Sequence, residues 1–361
     1  MRPLFECFSG LKERIPHQSL AELPTPVEEM AALTARAGAE AVYVKRDDQS
    51  GRLYGGNKVR KLEFLLGAAL AEKRPAVVTF GAAGSNHALA TAIYAREVGL
   101  RAVLMLGPQH PTPRVCRNLL RDFVAEAEMH DVPFEPGPTG GRLAEVFRRY
   151  KAASGAYPLV IPPGGSSPVG ALGFVNAGFE LAEQVRQGVL KEPDVVYCAS
   201  GTMGTCVGLV LGLHAAGLRT RVEAVRVTPP PFTWEPRAPM LFSEMNRILL
   251  QADPEFPRFD YPEGKITFRH EFFGEGYGVD SKAGTAAEAF AEETHGLHLE
   301  GTYTAKTFAA ALADADAGRL KAHTALFWNT YNGVDFTPAI QDVDYRRLPA
   351  PFHRYFTAQN T

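Results

Sequence analysis

Residues Tyr54 to Glu63 read YGGNKVRKLE, and the rest of the chain is interpreted outward from them. Gly55 and Gly56 carry no Cβ, so the backbone can turn tightly and approach another group closely. Asn57 and Lys58 then lead into a charged, helix-compatible run. A lysine at a helix start faces the partial positive charge of the first amides, which disfavours an ammonium ion. That is a poor place for a structural lysine and a suitable one for a neutral amine that forms a Schiff base with a carbonyl. Taken alone, the stretch reads more readily as a surface turn before a basic helix, since Gly-Gly-Asn is ordinary turn chemistry.

Composition narrows the class. The chain has 361 residues, 45% hydrophobic and 22% charged, enough for one large or two medium globular domains. A formal net charge of −2 argues against nucleic acid or an anionic membrane as the main partner. Cys7, Cys116, Cys198 and Cys206 have no C-x-x-C pairing, so neither a disulfide framework nor a metal site is expected; they fit a reducing cytoplasm. The start, MRPLFECFSGLKER, is too short and charged for a signal peptide. No apolar run reaches the roughly 18 residues of a membrane span.

The pattern along the chain alternates. The first 49 residues begin irregularly, with an extended entry at Leu23-Pro24-Thr25-Pro26 and a short helix from Met30 to Arg36. Strands are expected at Ala41–Lys45, Ala76–Phe80, Ala102–Leu106, Leu159–Ile161, Val195–Ala199, Arg221–Val227, Lys265–Phe268 and Thr324–Trp328. Helices are expected between them, among them Val59–Lys73, Ala88–Val98, Gly170–Gln187 and Cys206–Ala216. The run Pro162 to Pro168 is a strong break and the expected inter-domain crossing. This alternation defines α/β architecture with mainly parallel sheets, in which ligands bind beyond the carboxyl ends of the strands.

Three loops at such ends carry chemistry. Ser200 to Thr205, SGTMGT, can point its amides and the Thr202 and Thr205 hydroxyls at a phosphate; it also reads as a plain strand–helix turn. Gly81 to His87, GAAGSNH, offers a hydroxyl, an amide and backbone N–H groups to a carboxylate or a ring oxygen. His87 reads more readily as a hydrogen-bonded helix residue than as a base. Tyr277 and Tyr303 lie on Gly- or Thr-rich loops, where a phenol can act as acid or base or stack on a ring. A Gly-flanked lysine, an Asn loop and a phosphate loop together fit a phosphorylated aromatic aldehyde, pyridoxal 5'-phosphate.

These blocks resemble, in order, those of the D-cysteine desulfhydrase and 1-aminocyclopropane-1-carboxylate deaminase family, of the tryptophan synthase β-like pyridoxal phosphate fold (fold type II). They are GGNKVRKLE at Gly55–Glu63, SNH at Ser85–His87, GGSSPVGALGFV at Gly164–Val175, SGTMGTCVGL at Ser200–Leu209, GEGYG at Gly274–Gly278 and YTAK at Tyr303–Lys306. The resemblance implies two three-layer α/β domains: a large cofactor-binding one from residues 1–59 and 169–361, and a small one at 60–168.

It implies that Lys58 holds the cofactor as a Schiff base and shuttles the α-proton. Asn86 would bond the ring hydroxyl, and Ser85, Asn86 and His87 would receive the substrate carboxylate, with Ser85 a candidate for proton transfer. Gly201, Thr202, Met203, Gly204 and Thr205 would cradle the phosphate, Met203 standing where the family usually has glycine. Tyr277 and Tyr303 would line the substrate side, with Thr304 and Thr330 close to the cofactor. Threonine at both positions resembles the desulfhydrase branch.

The implied activity is α,β-elimination from a small amino acid, releasing ammonia and a 2-oxo acid, by a homodimer. Alternatives are deaminase-like ring opening, β-replacement or racemisation on the same scaffold, or a non-enzymatic phosphate-ligand-binding protein. Gly84 replaces a usual glutamine, which is expected to enlarge or depolarise the pocket. Asn329, Tyr331 and Asn332 also depart from the family pattern.

Overall fold

The structure is a computed structural model that describes residues 2–133 and 135–357. The chain forms two compact units, one of Met1–Ile15, Ala21–Lys61 and Ser166–Gly333, the other of Pro16–Leu20, Leu62–Gly165 and Val334–Thr361.

The first unit is built on a six-stranded sheet. In chain order its strands are β1 (Val27–Glu29), β2 (Ala41–Lys45), then β7 (Val195–Ser200), β8 (Arg221–Arg226), β9 (Ile266–Arg269) and β10 (Thr324–Trp328). The spatial order is β1-β2-β10-β7-β8-β9, and every pairing is parallel except β1 with β2. Strand β10 reads TALFW and is buried throughout, as a central parallel strand requires. On one face Val42, Val44, Tyr197 and Phe327 pack against Leu33, Ala291 and Phe308 from three helices, Ala31–Ala37, Lys282–His295 and Thr304–Asp316.

The second unit holds a four-stranded parallel sheet in the order β5-β4-β3-β6. Its strands are β3 (Ala76–Ala82), β4 (Arg101–Gly107), β5 (Glu128–Asp131) and β6 (Leu159–Ile161). Val78, Val103, Met105 and Val146 form its small core. Strand β5, EMHD, has too little apolar patterning to be read from sequence; its edge position tolerates that polarity. The C-terminal segment was expected with the larger domain, but Val334–Thr361 belongs to the second unit. Side-chain contacts hold it there. Arg354 pairs with Asp131 at 2.7 Å, the Cys116 thiol donates to the Tyr355 carbonyl at 3.2 Å, and Arg117 lies over the Phe336 ring.

The helix that starts at Asn57 runs to Ala71. Its basic residues do not face solvent: Arg60 and Lys61 are each 1% exposed. Arg60 forks onto Asp47 (Nη2–Oδ1 2.7 Å, Nε–Oδ2 2.9 Å) and reaches Glu180 at 2.8 Å. Lys45 Nζ completes the cluster on Glu180 Oε1 at 2.7 Å, Gln184 Oε1 at 2.6 Å and the Thr25 carbonyl at 2.7 Å. Two cations face two carboxylates, so the buried network is neutral and its polar atoms are satisfied, which is what makes such burial tolerable. The two cations hold the Glu180 carboxyl well below its usual range although burial opposes this.

Substituting Glu180→Ala strands Arg60 and Lys45 in the interior. A loss of about 3–5 kcal/mol is expected in urea denaturation at pH 7, the scale for breaking a buried pair from one side. The sign with pH follows from the depressed carboxyl. The Glu180 contribution is complete above the unfolded carboxylate range and is lost as pH falls, so wild type and variant should converge in acid.

Candidate active site

The loop before Lys58 is stitched into the first unit by its backbone. Gly55 N donates to Asn332 Oδ1 at 2.6 Å, Gly56 N to the Asp47 carbonyl at 2.7 Å, and Asn57 N to the Thr330 carbonyl at 3.0 Å. Gly56 has φ +87°, and a Cβ there would lie 2.7 Å from the Thr330 carbonyl oxygen. The glycine pair is therefore demanded by close passage of backbone against backbone.

Lys58 follows in the first helical turn, partly reachable by solvent, with no hydrogen-bond or ion-pair partner among the described residues. Desolvation lowers its pKa to about 8, against a weaker opposing pull from the Cys198 and Cys206 thiols. An amine in this state is partly neutral at neutral pH and able to act as nucleophile or base.

Beside it lies the loop after β7. Asn57 Nδ2 donates to Thr205 Oγ1 at 3.0 Å, tying the lysine's helix to this loop. Met203 has φ +64°, a left-handed conformation that costs a non-glycine residue roughly 1 kcal/mol. Its side chain is fully buried, which offsets that strain. The helix Gly204–Ala215 begins here, with its first amides directed into the loop. Ser166 Oγ accepts from Gly204 N at 3.2 Å, receives Lys61 Nζ at 3.0 Å and shares a hydrogen bond with Thr202 Oγ1 at 2.6 Å. A Cβ at Gly204 would sit 2.6 Å from Ser166 Oγ and 3.1 Å from Lys61 Nζ, so only glycine fits. Burial and the neighbouring Lys58 hold the Lys61 amine well below its ordinary range.

These residues fit a phosphorylated ligand: amides, hydroxyls and one buried lysine converge where Lys58 starts its helix. Two further observations agree. Ser200 Oγ and both polar atoms of the Asn329 carboxamide are buried without a partner. Sequence reasoning missed Lys61 and Ser166. Lys61 is three residues after Lys58, hence on the same helical face, and that spacing was the available signal.

On the same unit Tyr277 and Tyr303 meet through their hydroxyls at 2.5 Å, rings edge to face. The Glu300 carboxylate holds the turn before Tyr303 by accepting from Thr302 N (2.8 Å) and Tyr303 N (3.1 Å). Buried Lys306 donates to the carbonyls of Phe273 (2.7 Å) and Gly276 (3.0 Å), fixing the loop that carries Tyr277. Thr304, expected beside the cofactor, is fully buried and spends its hydroxyl on the Glu300 backbone, accepting from Glu300 N at 2.8 Å.

The second unit places the SNH loop after β3. Ser85 caps the helix Asn86–Glu97, accepting from Ala88 N at 3.2 Å. His87 is 4% exposed, and its Nε2 lies 3.0 Å from Thr79 Oγ1. The Thr79 hydroxyl donates to the Ile161 carbonyl, so it must accept from His87, and Nε2 carries the proton. The Gly84 departure does not enlarge a pocket: a Cβ there would lie 2.8 Å from Val115 Cγ2 and 3.2 Å from Gln109 Oε1. The neighbouring side chains already occupy that space.

A desolvated lysine amine, a Gly/Thr loop beside it that suits an anion, and parallel α/β sheets are features of a cofactor-dependent enzyme. The chain belongs to the pyridoxal-phosphate dependent enzyme family, whose model matches residues 18–330. It is 34% identical over 315 residues to a D-cysteine desulfhydrase of Klebsiella pneumoniae (85% of this chain, 91% of the relative). It is likewise 34% identical over 307 residues to one of Salmonella paratyphi A (82% and 87%). Among solved structures, an ACC deaminase homologue superposes with TM-score 0.77 at 28% identity (93% of this chain, 96% of the other). Serine racemase from Dictyostelium discoideum, at TM-score 0.62 and 13% identity (92% and 98%), shares the fold. The protein is a pyridoxal-phosphate-dependent enzyme of fold type II.

The lowered Lys58 pKa gives a direct measurement. In cofactor-free protein the rate of Lys58 modification by an amine reagent, followed by peptide mapping, should rise with pH through a midpoint near 8. A midpoint above 10, where an ordinary lysine titrates, would contradict the desolvated amine.

Proposed function

We propose that the protein is a D-cysteine desulfhydrase-like lyase that carries out α,β-elimination on a small amino acid and yields a 2-oxo acid, ammonia and the leaving group. The desolvated Lys58 amine beside an anion loop is the observation that carries the reading. Identity to D-cysteine desulfhydrases along most of the chain supports the substrate class.

Pyridoxal phosphate, when bound, supplies an electron sink that acidifies the Cα–H bond of an amino acid. Lys58 would be the covalent anchor of the cofactor and, as a free amine, the base that takes the α-proton. Gly201, Thr202, Met203, Gly204 and Thr205 would hold the phosphate through amides and hydroxyls, with Lys61, whose amine burial keeps below its ordinary range, behind them as a further donor that would regain its proton beside a dianion. Thr330 and Asn329 lie on the same unit just past the carboxyl end of β10 and would stand near the cofactor ring.

Asn86 would donate to the ring hydroxyl oxygen. The helix start at Ser85, Asn86 and His87 receives the substrate carboxylate, with His87 contributing through its backbone, its imidazole being committed to Thr79. The Tyr277–Tyr303 pair lines the substrate side, and one phenol gives its proton to the departing sulfur while the other steadies the charge left behind. The Cα–H electron pair would form the Cα=Cβ bond while the sulfur takes the Cβ–S pair and the phenol proton and leaves as hydrogen sulfide; water reprotonates the phenol, and the released aminoacrylate hydrolyses to pyruvate and ammonia. Thr304 acts through Glu300 rather than by touching the ring.

Ring opening of 1-aminocyclopropane-1-carboxylate is the second reading, favoured by the likeness to an ACC deaminase homologue. A homodimer in the cytoplasm completes the proposal; four free cysteines suit a reducing compartment.

Purified protein with cofactor should be yellow, and borohydride or Lys58→Ala should remove the band. A panel of D- and L-cysteine, D-serine and 1-aminocyclopropane-1-carboxylate, read by sulfide, pyruvate and oxobutyrate, should show fastest turnover of D-cysteine. Absence of turnover with every D-amino acid would overturn the desulfhydrase reading. Converting the phenol pair by Tyr303→Phe should lower kcat by about 10²–10⁴-fold, the range of a lost general acid or base, with smaller change in KM.

A further inference from the structure

The second unit contains a side-chain relay behind the SNH loop that none of the roles above uses. Asn118, on the helix Pro113–Val124, is 1% exposed. Its Nδ2 donates to the Gly84 carbonyl at 2.9 Å and to Asn86 Oδ1 at 3.0 Å, spending both amide hydrogens. On the other side of the same peptide, Gly84 N donates to Gln109 Oε1 at 2.8 Å. Gly84 is thus clamped through its N–H and its C=O by two carboxamides from different elements.

The orientation of a carboxamide follows from its partners. A backbone carbonyl can only accept, so Asn118 must present Nδ2 to Gly84. The second hydrogen on that nitrogen then requires an acceptor on Asn86, which must be Oδ1. Asn86 Nδ2 is thereby turned away from Asn118, with its sense as a donor fixed. The Gly84 carbonyl sets Asn118, and Asn118 sets Asn86.

We infer that Asn118 is a positioning residue that keeps Asn86 in the donor sense required by an anionic oxygen on its ligand. The inference rests on the reading of Asn86 as the partner of the cofactor's ring oxygen. Without Asn118 the Asn86 amide loses the donor that holds its oxygen, and the inverted orientation, once populated, sets oxygen against oxygen. Loss of the constraint halves the competent population and weakens binding about twofold. An acceptor at position 118 inverts the preference and costs a charge-assisted hydrogen bond, about tenfold or more.

The test compares two ligands on the full-length chain freed of cofactor, by absorbance or fluorescence titration: pyridoxal phosphate and its 3-deoxy analogue, which lacks the ring oxygen. Asn118→Asp is expected to weaken pyridoxal phosphate about tenfold or more while leaving the analogue within about twofold of wild type. Asn118→Leu, which removes the donors without adding charge, should weaken pyridoxal phosphate about twofold and the analogue not at all, and serves if the aspartate variant fails to fold. Equal weakening of both ligands, or of neither, would overturn the role. Asn86→Ala separates the two levels. If it fails to discriminate the ligands, the reading of Asn86 falls; if it discriminates and the Asn118 variants do not, the relay alone falls.

Discussion

The neutral cluster of Arg60, Lys45, Asp47 and Glu180 is the interaction on which the first unit depends. It joins the strand β2, the helix that begins at Asn57 and the helix Pro168–Arg186, the last far removed from the others in sequence. Arg60 stands two residues after Lys58 and has little freedom: all three of its guanidinium nitrogens donate, to Asp47, Glu180 and Thr25, in a low-dielectric interior. The helix start is therefore rigid, and so is the lysine on it. The neutrality of the cluster has a second consequence. Lys58 gains no compensating carboxylate from it, so desolvation governs the amine and lowers its pKa.

The same economy recurs in the loops. Each candidate site loop is carried by a backbone whose polar groups are held from behind. Lys61 and Ser166 brace the Gly204 amide, Glu300 braces the turn at Tyr303, Lys306 braces the loop of Tyr277, and Gln109 with Asn118 brace Gly84. Preorganisation of this kind removes the ordering cost from the moment of ligand binding. It also explains why the site tolerates Met203 in a left-handed conformation. Burial of the side chain and a fixed helix start outweigh about 1 kcal/mol of backbone strain.

Much of the fold was legible because it rests on local signals. The β-branched runs at Val77–Val78 and Val195–Val196, the Gly-rich loops and the alternation of short strands with helices all report on neighbours within a few residues. Strand β5 was not legible, because EMHD has neither alternation nor apolar weight and is a strand only through its pairing with β4. The charged run after Lys58 misled for a related reason. Basic residues in a helix are ordinarily a solvated face, and nothing near them in sequence announces that Asp47 and Glu180 wait in the interior.

The sequence by itself determined the order of the chemistry: a lysine on a glycine turn, an Asn loop, a Gly/Thr loop and two tyrosines, each on the strand or helix end that local periodicity requires. Tertiary structure alone decided what stands behind them. It turned Lys61 from a surface cation into a neighbour of the anion loop and filled the space at Gly84 with Gln109 and Val115. It also withdrew the Thr304 hydroxyl and the His87 imidazole into structural bonds, and drew the C-terminal segment into the second unit. Most of these outcomes are pairings between residues tens to hundreds of positions apart. Even the short-range ones at His87 and Thr304 depend on packing that no local pattern encodes. Their energies come from desolvation and mutual satisfaction of polar groups, which exist only once the chain has closed around them.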